Sequence, residues 1–410
     1  MGRYEFGGPV NVFFMIFGLP VTIYGLYVFC ARDSCSVMTI PSLPPIGEFF
    51  NWKAMVVYVL WFVYHSLIYI SPLGYTAKGM KLKDGSRLEY RMNGIHAFLL
   101  THILFATAIY FDTPVSFVYD NYLALATSSI IFSTILSLYL YLKSFSHGAL
   151  LAEGGNTGNV VYDFFIGREL NPRVGKMFDL KLFCEMRPGL VGWVFINYCL
   201  LVKEYELQGN VSVSMGLVCT FQFWYIFDGL WYEEAILTTM DVVHDGFGYM
   251  LAFGDLAWVP FTYSLQARYL VDHPVNLPMW AAAVIVGIKL LGYMTFRGAN
   301  GQKDLFRRDP NHPSVKHLET LQTNRGTKLM ISGWWGICRH PNYVGDLMMA
   351  LSWSLPCGFN SILPYFYVTY FTILLIHRQL RDEKHCRAKY GHDWDKYCKI
   401  VKWRLIPYVY

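Results

Sequence analysis

The 410 residues carry 34 Lys and Arg against 29 Asp and Glu, a formal charge of +5, and 54% of them are hydrophobic while only 15% are charged. With a mean hydropathy of +0.30 the chain holds more apolar surface than a soluble fold of this length buries, which excludes a soluble globular enzyme and predicts an integral membrane protein. So modest a net charge gives no ground for a nucleic-acid partner, and the membrane lipid itself is the expected surrounding.

A bilayer core takes about 20 apolar residues per helix, and runs of that kind lie near 10–30, 54–73, 94–112, 121–142, 189–203, 211–228, 246–267, 278–296, 343–357 and 362–377. The predicted fold is therefore all-α and polytopic, with about ten transmembrane helices, read as one membrane domain over 1–410. No charged start with a small-residue cleavage site precedes the first run, which is expected to act as an uncleaved targeting signal. Basic residues stay on the cytosolic side of short loops. The loops after the second, fourth and eighth runs hold Lys78, Lys81, Lys83, Arg87 and Arg91, then Arg168, Arg173, Lys176, Lys181 and Arg187, then Lys303, Arg307, Arg308, Lys316, Arg325, Lys328 and Arg339. Loops on the other side hold Arg32, Lys53, Lys203 and Arg268. Both termini then face the cytosol, and the loop with Glu233 and Glu234 is the exception to the alternation. The nine cysteines form neither a CxxC pair nor a secreted framework, so reduced thiols are expected.

The first polar constellation is the Tyr, Asp, Glu and His cluster of "FWYIFDGLWYEEAILTTMDVVHDGFGYMLAFGD", with Tyr225, Asp228, Glu233, Glu234, Asp241, His244, Asp245 and Asp255 in or beside apolar helices. Ionisable groups in such segments line an interior or pair between helices. His244 has no second His or Cys at ligand spacing, so no metal is expected. "GFGYML" lacks the last glycine of a dinucleotide fingerprint and no strand precedes it, and "GGNTGN" does not fit either. In "FRGANGQKDLFRR", Lys303 and Arg307 stand four apart on one helix face and could hold a phosphate, although a positive-inside anchor explains them equally. "SGWWGICRHPNYVGDL" sets Trp334, Trp335, Arg339, His340, Asn342, Tyr343 and Asp346 at the entry of an apolar helix, with Pro341 near its first turn. An interfacial aromatic belt accounts for the tryptophans but not for Asn342 and Asp346. "HRQLRDEKHCRAKY" sets Arg378 and Asp382 on one face, with Arg381, Tyr390 and Tyr397 near, a surface suited to a phosphorylated, ring-bearing cofactor or to anionic lipid.

Five stretches, "GRELNPRVGKMFDLKLFCEMRPGL", "HDGFGYMLAFGDLAWVPFTYSLQA", "FRGANGQK", "LMISGWWGICRHPNYVGDLMMALSWSLPCGF" and "WRLIPYVY", resemble in order the sterol reductases of the Δ14 type and the membrane domain of the lamin B receptor, over nearly the whole chain. "DLFRRD" and "HRQLRDEKHC" also look like the Δ7-sterol reductases, whereas "GRELNPR" and "HDGFGYMLAFGD" favour the Δ14 branch. The resemblance implies a multi-pass enzyme of the endoplasmic reticulum membrane, continuous with the inner nuclear membrane, that uses NADPH to reduce the carbon 14–15 double bond of a sterol precursor in sterol and cholesterol biosynthesis. By similarity the cofactor pocket lies mainly in 297–410 and uses Lys303, Arg307, Met330, Trp335, Asn342, Tyr343, Arg378, Asp382, Cys386, Arg387, Ala388, Lys389, Tyr390 and Tyr397. Met330 stands where leucine is usual, a volume-conserving exchange. The proton donor is expected to be Tyr225 acting with Asp382 or with an interior carboxylate such as Asp228. A prenylcysteine-type methyltransferase shares the "RHPNYVGD" and "RDE" logic but has neither "GRELNPR" nor "FRGANGQK". A nuclear-envelope scaffold with residual reductase activity is the non-enzymatic alternative, since a short reductase and the membrane part of a longer receptor both fit these motifs.

Overall fold

The computed structural model describes residues 4–31, 33–82 and 85–410; of the loop cations counted above, Arg32 and Lys83 lie outside them. The chain divides into two compact units, 1–274 and 275–410, so the predicted cofactor stretch falls wholly in the second. Both units are predominantly helical, and the described strands make four two-stranded antiparallel ribbons.

The first unit opens with α1 (Gly8–Phe29), whose Phe13, Phe14 and Phe17 point outward. Its end runs into a short ribbon, β1 (Cys30–Ala31) and β2 (Ser34–Cys35), closed by a disulfide between Cys30 and Cys35. That bond corrects the expectation of reduced thiols throughout: the two residues face each other across the ribbon, a spacing that no CxxC or framework pattern describes. The other seven cysteines are free. Next come α2 (Trp52–Ile70), started by the Asn51 side chain accepting from the Ala54 N–H at 2.8 Å, the hairpin β3 (Tyr75–Lys81) and β4 (Arg87–Met92), α3 (Gly94–Tyr110) and α4 (Tyr122–Lys143). Ser128, Ser129, Ser133 and Ser137 are buried on α4 because each hydroxyl returns its proton to a carbonyl three or four residues earlier.

Further along the first unit lie α5 (Leu180–Met186), α6 (Pro188–Gln208), α7 (Val213–Trp231), the short α8 (Met240–Val243), and an interrupted helix in which α9 (Tyr249–Phe253) passes through a π turn at Gly254–Trp258 into α10 (Val259–Thr262), then α11 (Leu265–Asp272). The wide turn brings the Asp255 carbonyl so close to α6 that a Cβ on Gly189 would sit 1.7 Å from it. Between helices the packing is held by polar contacts: Gln222 Oε1 accepts from Trp193 Nε1 at 2.7 Å and from Asn197 Nδ2 at 2.5 Å, and its amide donates to the Tyr263 carbonyl.

In the second unit α12 (Met279–Arg308) crosses α14 (Pro341–Ser354) at two glycines. A Cβ on Gly345 would lie 2.5 Å from the Phe296 backbone nitrogen, and one on Gly292 2.8 Å from the Gly345 carbonyl. The hairpin β5 (Thr320–Gln322) and β6 (Lys328–Met330) and the single turn α13 (Trp334–Ile337) connect them. The unit ends in α15 (Phe366–Tyr390), α16 (His392–Ile400) and a tail. Leu321, Leu329 and Ile331 pack on Trp394 and Tyr397 of α16 and on Val401 just after it. The Asp393 carboxylate fastens that hairpin, accepting from the Asn324 N–H at 2.8 Å and pairing with Lys396 at 3.2 Å.

A helix stands at each predicted run. Among the described residues five helices are long and apolar enough to cross a membrane, Gly8–Phe29, Ile46–Ile70, Tyr122–Lys143, Val213–Trp231 and Met279–Arg308, and Gly94–Tyr110 is apolar but shorter.

Replacing Gly345 by Val drives a branched side chain into the α12 backbone. It is expected to destabilise the protein by about 3 kcal/mol, read as a lower melting temperature in detergent micelles. The Asn324 N–H holds the Asp393 carboxyl below the usual carboxylate range, so its contribution is complete above that range and is lost as pH falls through the lowered value. Hydrogen exchange should show Asn324 losing protection on acidification, and the Asp393→Asn variant should remove that pH dependence.

Candidate functional site

The ends of three helices converge in the second unit. The last turns of α12 carry Gln302, Lys303 and Arg307. The chain returns through Gly333, whose φ of 64° is open to glycine and strained for other residues. It is stitched along α12 by the Trp334 N–H to Gln302 Oε1 at 3.0 Å and by Trp335 Nε1 to the Ala299 carbonyl at 2.9 Å. Lys303 Nζ lies over the Trp335 ring, 3.9 Å from its centre, within cation–π range. Trp335 is thus buried and hydrogen-bonded within the unit, so it serves as a wall for the lysine and not as a lipid-facing belt residue.

Pro341 begins α14, placing Asn342 and Tyr343 in its first turn, where the His340 carbonyl accepts from the Tyr343 N–H at 3.1 Å. The His340 ring stacks on Tyr343 with centres 4.9 Å apart and planes 12° from parallel, and its Nε2 lies 3.8 Å from Asp382 Oδ2 on α15. Burial first, then Lys303 and Arg339, lower the His340 pKa to about 3; the imidazole is neutral at physiological pH and its approach to Asp382 is dipolar. The Asn342 side-chain oxygen is buried without a hydrogen-bond partner among the described residues.

Along α15 the residues Arg378, Asp382, Cys386 and Lys389 follow at helical spacing, and Lys303 lies within electrostatic reach of Asp382 and Cys386. Burial, and after it Asp382, push the Cys386 thiol up to about 12, so it stays protonated and packs beside Trp394 and Tyr397. Arg387 reaches Asp395 at 3.5 Å; Ala388 and Lys389 are exposed on the last turn, and Tyr390 stacks towards Trp394. Met330 and Tyr397 are buried, Met330 at the end of β6. Burial raises the Tyr397 hydroxyl, which therefore remains a neutral donor. The structure thus gathers Lys303, Trp335, Tyr343, Asp382 and Cys386 around one rim, with Arg307 exposed one turn beyond Lys303. Tyr225 and Asp228 are half-buried on α7 of the first unit, Tyr225 edging towards Trp193.

Several cations hold structural places that their positions in the sequence did not show. Arg339, grouped above with the rim, is buried and gives its guanidinium to the carbonyls of Val401 at 2.9 Å and Lys402 at 3.1 Å, while its N–H donates to the Trp403 carbonyl at 2.9 Å. It caps the end of α16. In the first unit the acidic cluster is answered by two cations counted above only as loop charges. Lys181 Nζ donates to the Asp241 and Asp245 carbonyls at 2.5 and 2.8 Å, and Arg187 pairs with Glu233 at 2.6 Å and donates to Asn93. Their only sequence signal was position within "DLKLFCEMRPGL", near but outside an apolar run. No group of three metal-ligating side chains occurs among the described residues.

The model of the ergosterol biosynthesis ERG4/ERG24 family matches residues 2–410. The chain is 50% identical over 408 residues to the Delta(14)-sterol reductase TM7SF2 of Mus musculus, covering 99% of this chain and 97% of that one. It is 43% identical over 416 residues to the Delta(14)-sterol reductase of Methylotuvimicrobium alcaliphilum, covering 100% and 96%. To the Delta(14)-sterol reductase LBR of Gallus gallus it is 50% identical over 405 residues, 98% of this chain but 63% of that protein, so it spans less than two thirds of this longer relative. With a family match along the whole chain and half the residues shared with full-length relatives, this protein belongs to the ergosterol biosynthesis ERG4/ERG24 family of membrane sterol reductases.

Proposed function

We propose that this chain is an NADPH-dependent Δ14-sterol reductase of the endoplasmic reticulum membrane. The observation that carries the reading is the rim of the second unit, in which a lysine over an indole, a neutral histidine beside an aspartate and a buried, unanswered Asn342 oxygen converge. The relatives named Delta(14)-sterol reductase support the regiochemistry. The residues suit a phosphorylated nicotinamide dinucleotide. Lys303, Arg307 and Arg378 offer charge and guanidinium geometry to phosphate, and Asn342 Oδ1 offers an acceptor to a carboxamide N–H. The Cys30–Cys35 disulfide lies on the side that the loop charges put opposite the cytosol, in keeping with an oxidising lumen.

The carbon 14–15 double bond has no carbonyl beside it to polarise it towards hydride, so an acid first protonates carbon 15 and leaves a tertiary cation at carbon 14. The bound dinucleotide supplies the hydride that quenches it. The protein's own work is to hold the proton at a donor, to keep water from the cation and to stabilise positive charge with π faces. We assign the donor to Tyr225, acting with Asp228 on the same helix.

Purified protein in lipid nanodiscs should convert a Δ8,14-sterol with NADPH, followed by gas chromatography and mass spectrometry, and leave a Δ7-sterol unchanged. Arg378→Ala should raise the KM for NADPH by about tenfold or more. Tyr225→Phe should lower kcat by about 10²-fold or more without moving that KM. A folded wild-type sample that turns over neither sterol would sink the reductase reading in favour of a scaffold.

A further inference from the structure

We propose that Glu383 is a positioning residue for the cofactor rim: its carboxylate locks the Arg339–Tyr343 segment and the tail at Arg404 to α15. The proposal rests on the reductase reading above and adds to it residues outside the dinucleotide's own contacts.

Glu383 is 9% exposed, and four donor-bearing side chains approach its carboxylate. Gln379 Nε2 donates to Oε2 at 2.9 Å, Arg404 Nε lies 3.1 Å from the same oxygen, and Arg404 Nη2 reaches Oε1 at 3.5 Å. Arg339 Nη1 lies 3.6 Å from Oε1, and Arg387 reaches it at 4.0 Å. The hub continues outward, since Arg404 Nη1 donates to the Tyr410 hydroxyl at 3.2 Å and that hydroxyl donates to Gln379 Oε1 at 3.2 Å. One carboxylate thus gathers Arg339, Arg387 and Arg404 from three parts of the chain.

The position of this hub is what links it to the cofactor. Asp382, the neighbour of His340, directly precedes Glu383, and Arg339 directly precedes His340. The two sides of the rim are therefore each one residue from the hub, and the Glu383–Arg339 contact fixes the distance between α15 and the start of α14. Without the negative charge, Arg339 and Arg404 face each other as like charges in a half-dry site, and the cheapest relief is to part α15 from the rim. Such parting costs cofactor binding more than it costs sterol chemistry, because the residues displaced are those proposed to hold the dinucleotide.

The test compares wild type, Glu383→Gln, Arg404→Gln, the double variant and Arg404→Lys, all as full-length protein in nanodiscs, by steady-state kinetics with NADPH and a Δ8,14-sterol. In Glu383→Gln the KM for NADPH should rise by about tenfold, with kcat and the sterol KM within about twofold of wild type. Arg404→Gln should show the same split more weakly, Arg404→Lys should restore most of it, and the double variant should lose no more than Glu383→Gln alone. An unchanged NADPH KM in Glu383→Gln, or a parallel loss in kcat and both KM values as from general loosening, would overturn the positioning role. If Glu383→Gln cannot be obtained folded, the same split in Arg404→Gln decides the question. An inactive wild type defeats the reductase reading itself, whereas an active wild type with indifferent variants defeats only this proposal.

Discussion

A cation sealed from water must be paired within the protein, and this requirement organises both units. Arg187 is wholly buried, and it draws together Glu233, the Asn93 side chain, the Arg91 carbonyl and the face of Tyr69, 4.3 Å from its guanidinium carbon. Lys181, equally buried, takes the carbonyls that end α8. In a bilayer the loops joining helices cannot leave such carbonyls bare beside hydrocarbon, so a cation that reaches them does the work water does for a soluble protein. Removing one member of a buried pair costs about 3–5 kcal/mol, against about 0–1 for a surface pair. By that margin Arg187 and Glu233 outweigh the surface pair of Arg308 and Asp304.

The second unit divides its cations by the same rule. Arg339 is spent on backbone carbonyls and on Glu383, which leaves it no geometry for a ligand. Lys303, set over an indole and only half-buried, keeps its charge directed at the rim. His340 stays neutral, so the rim gains a stacking and hydrogen-bonding ring without a further positive charge beside Lys303 and Arg339. Sequence proximity hides this division, because Arg339 and His340 are adjacent and point to different tasks.

Element positions were legible because apolar runs are set by composition alone: every run read from the sequence holds a helix, but among the described residues five of the ten expected spans are long and apolar enough to cross a membrane. The rim was legible in part, because Lys303 and Arg307, or Arg378 and Asp382, share helix faces by spacing, and because the family resemblance singled out residues such as Asn342 and Met330. What was not legible depends on contacts between distant segments. Nothing local separates Arg187, a buried brace, from Arg168 or Lys176 in the same basic loop, and the positive-inside count treats them alike. The disulfide escaped for a related reason, since a four-residue gap between Cys30 and Cys35 carries no signal until a ribbon sets them opposite each other. Glu383 lay one residue from a predicted site and looked like one more carboxylate among arginines.

The proposed reaction gives these constraints a common purpose. Quenching a tertiary carbocation requires that hydride arrive before water, and a site that excludes water cannot use mobile solvent to hold its charged parts in place. Positioning must then come from fixed partners: Trp335 held by a backbone carbonyl, Asp382 held beside a neutral imidazole, and the turn before α14 held by an arginine whose donors are already committed. Preorganised charge of this kind costs stability when it is built and needs little rearrangement as the cation forms. On that argument the dense bracing around the rim, in which Arg339 and Glu383 touch no reacting atom, is as much a condition of the chemistry as the residues that meet the cofactor.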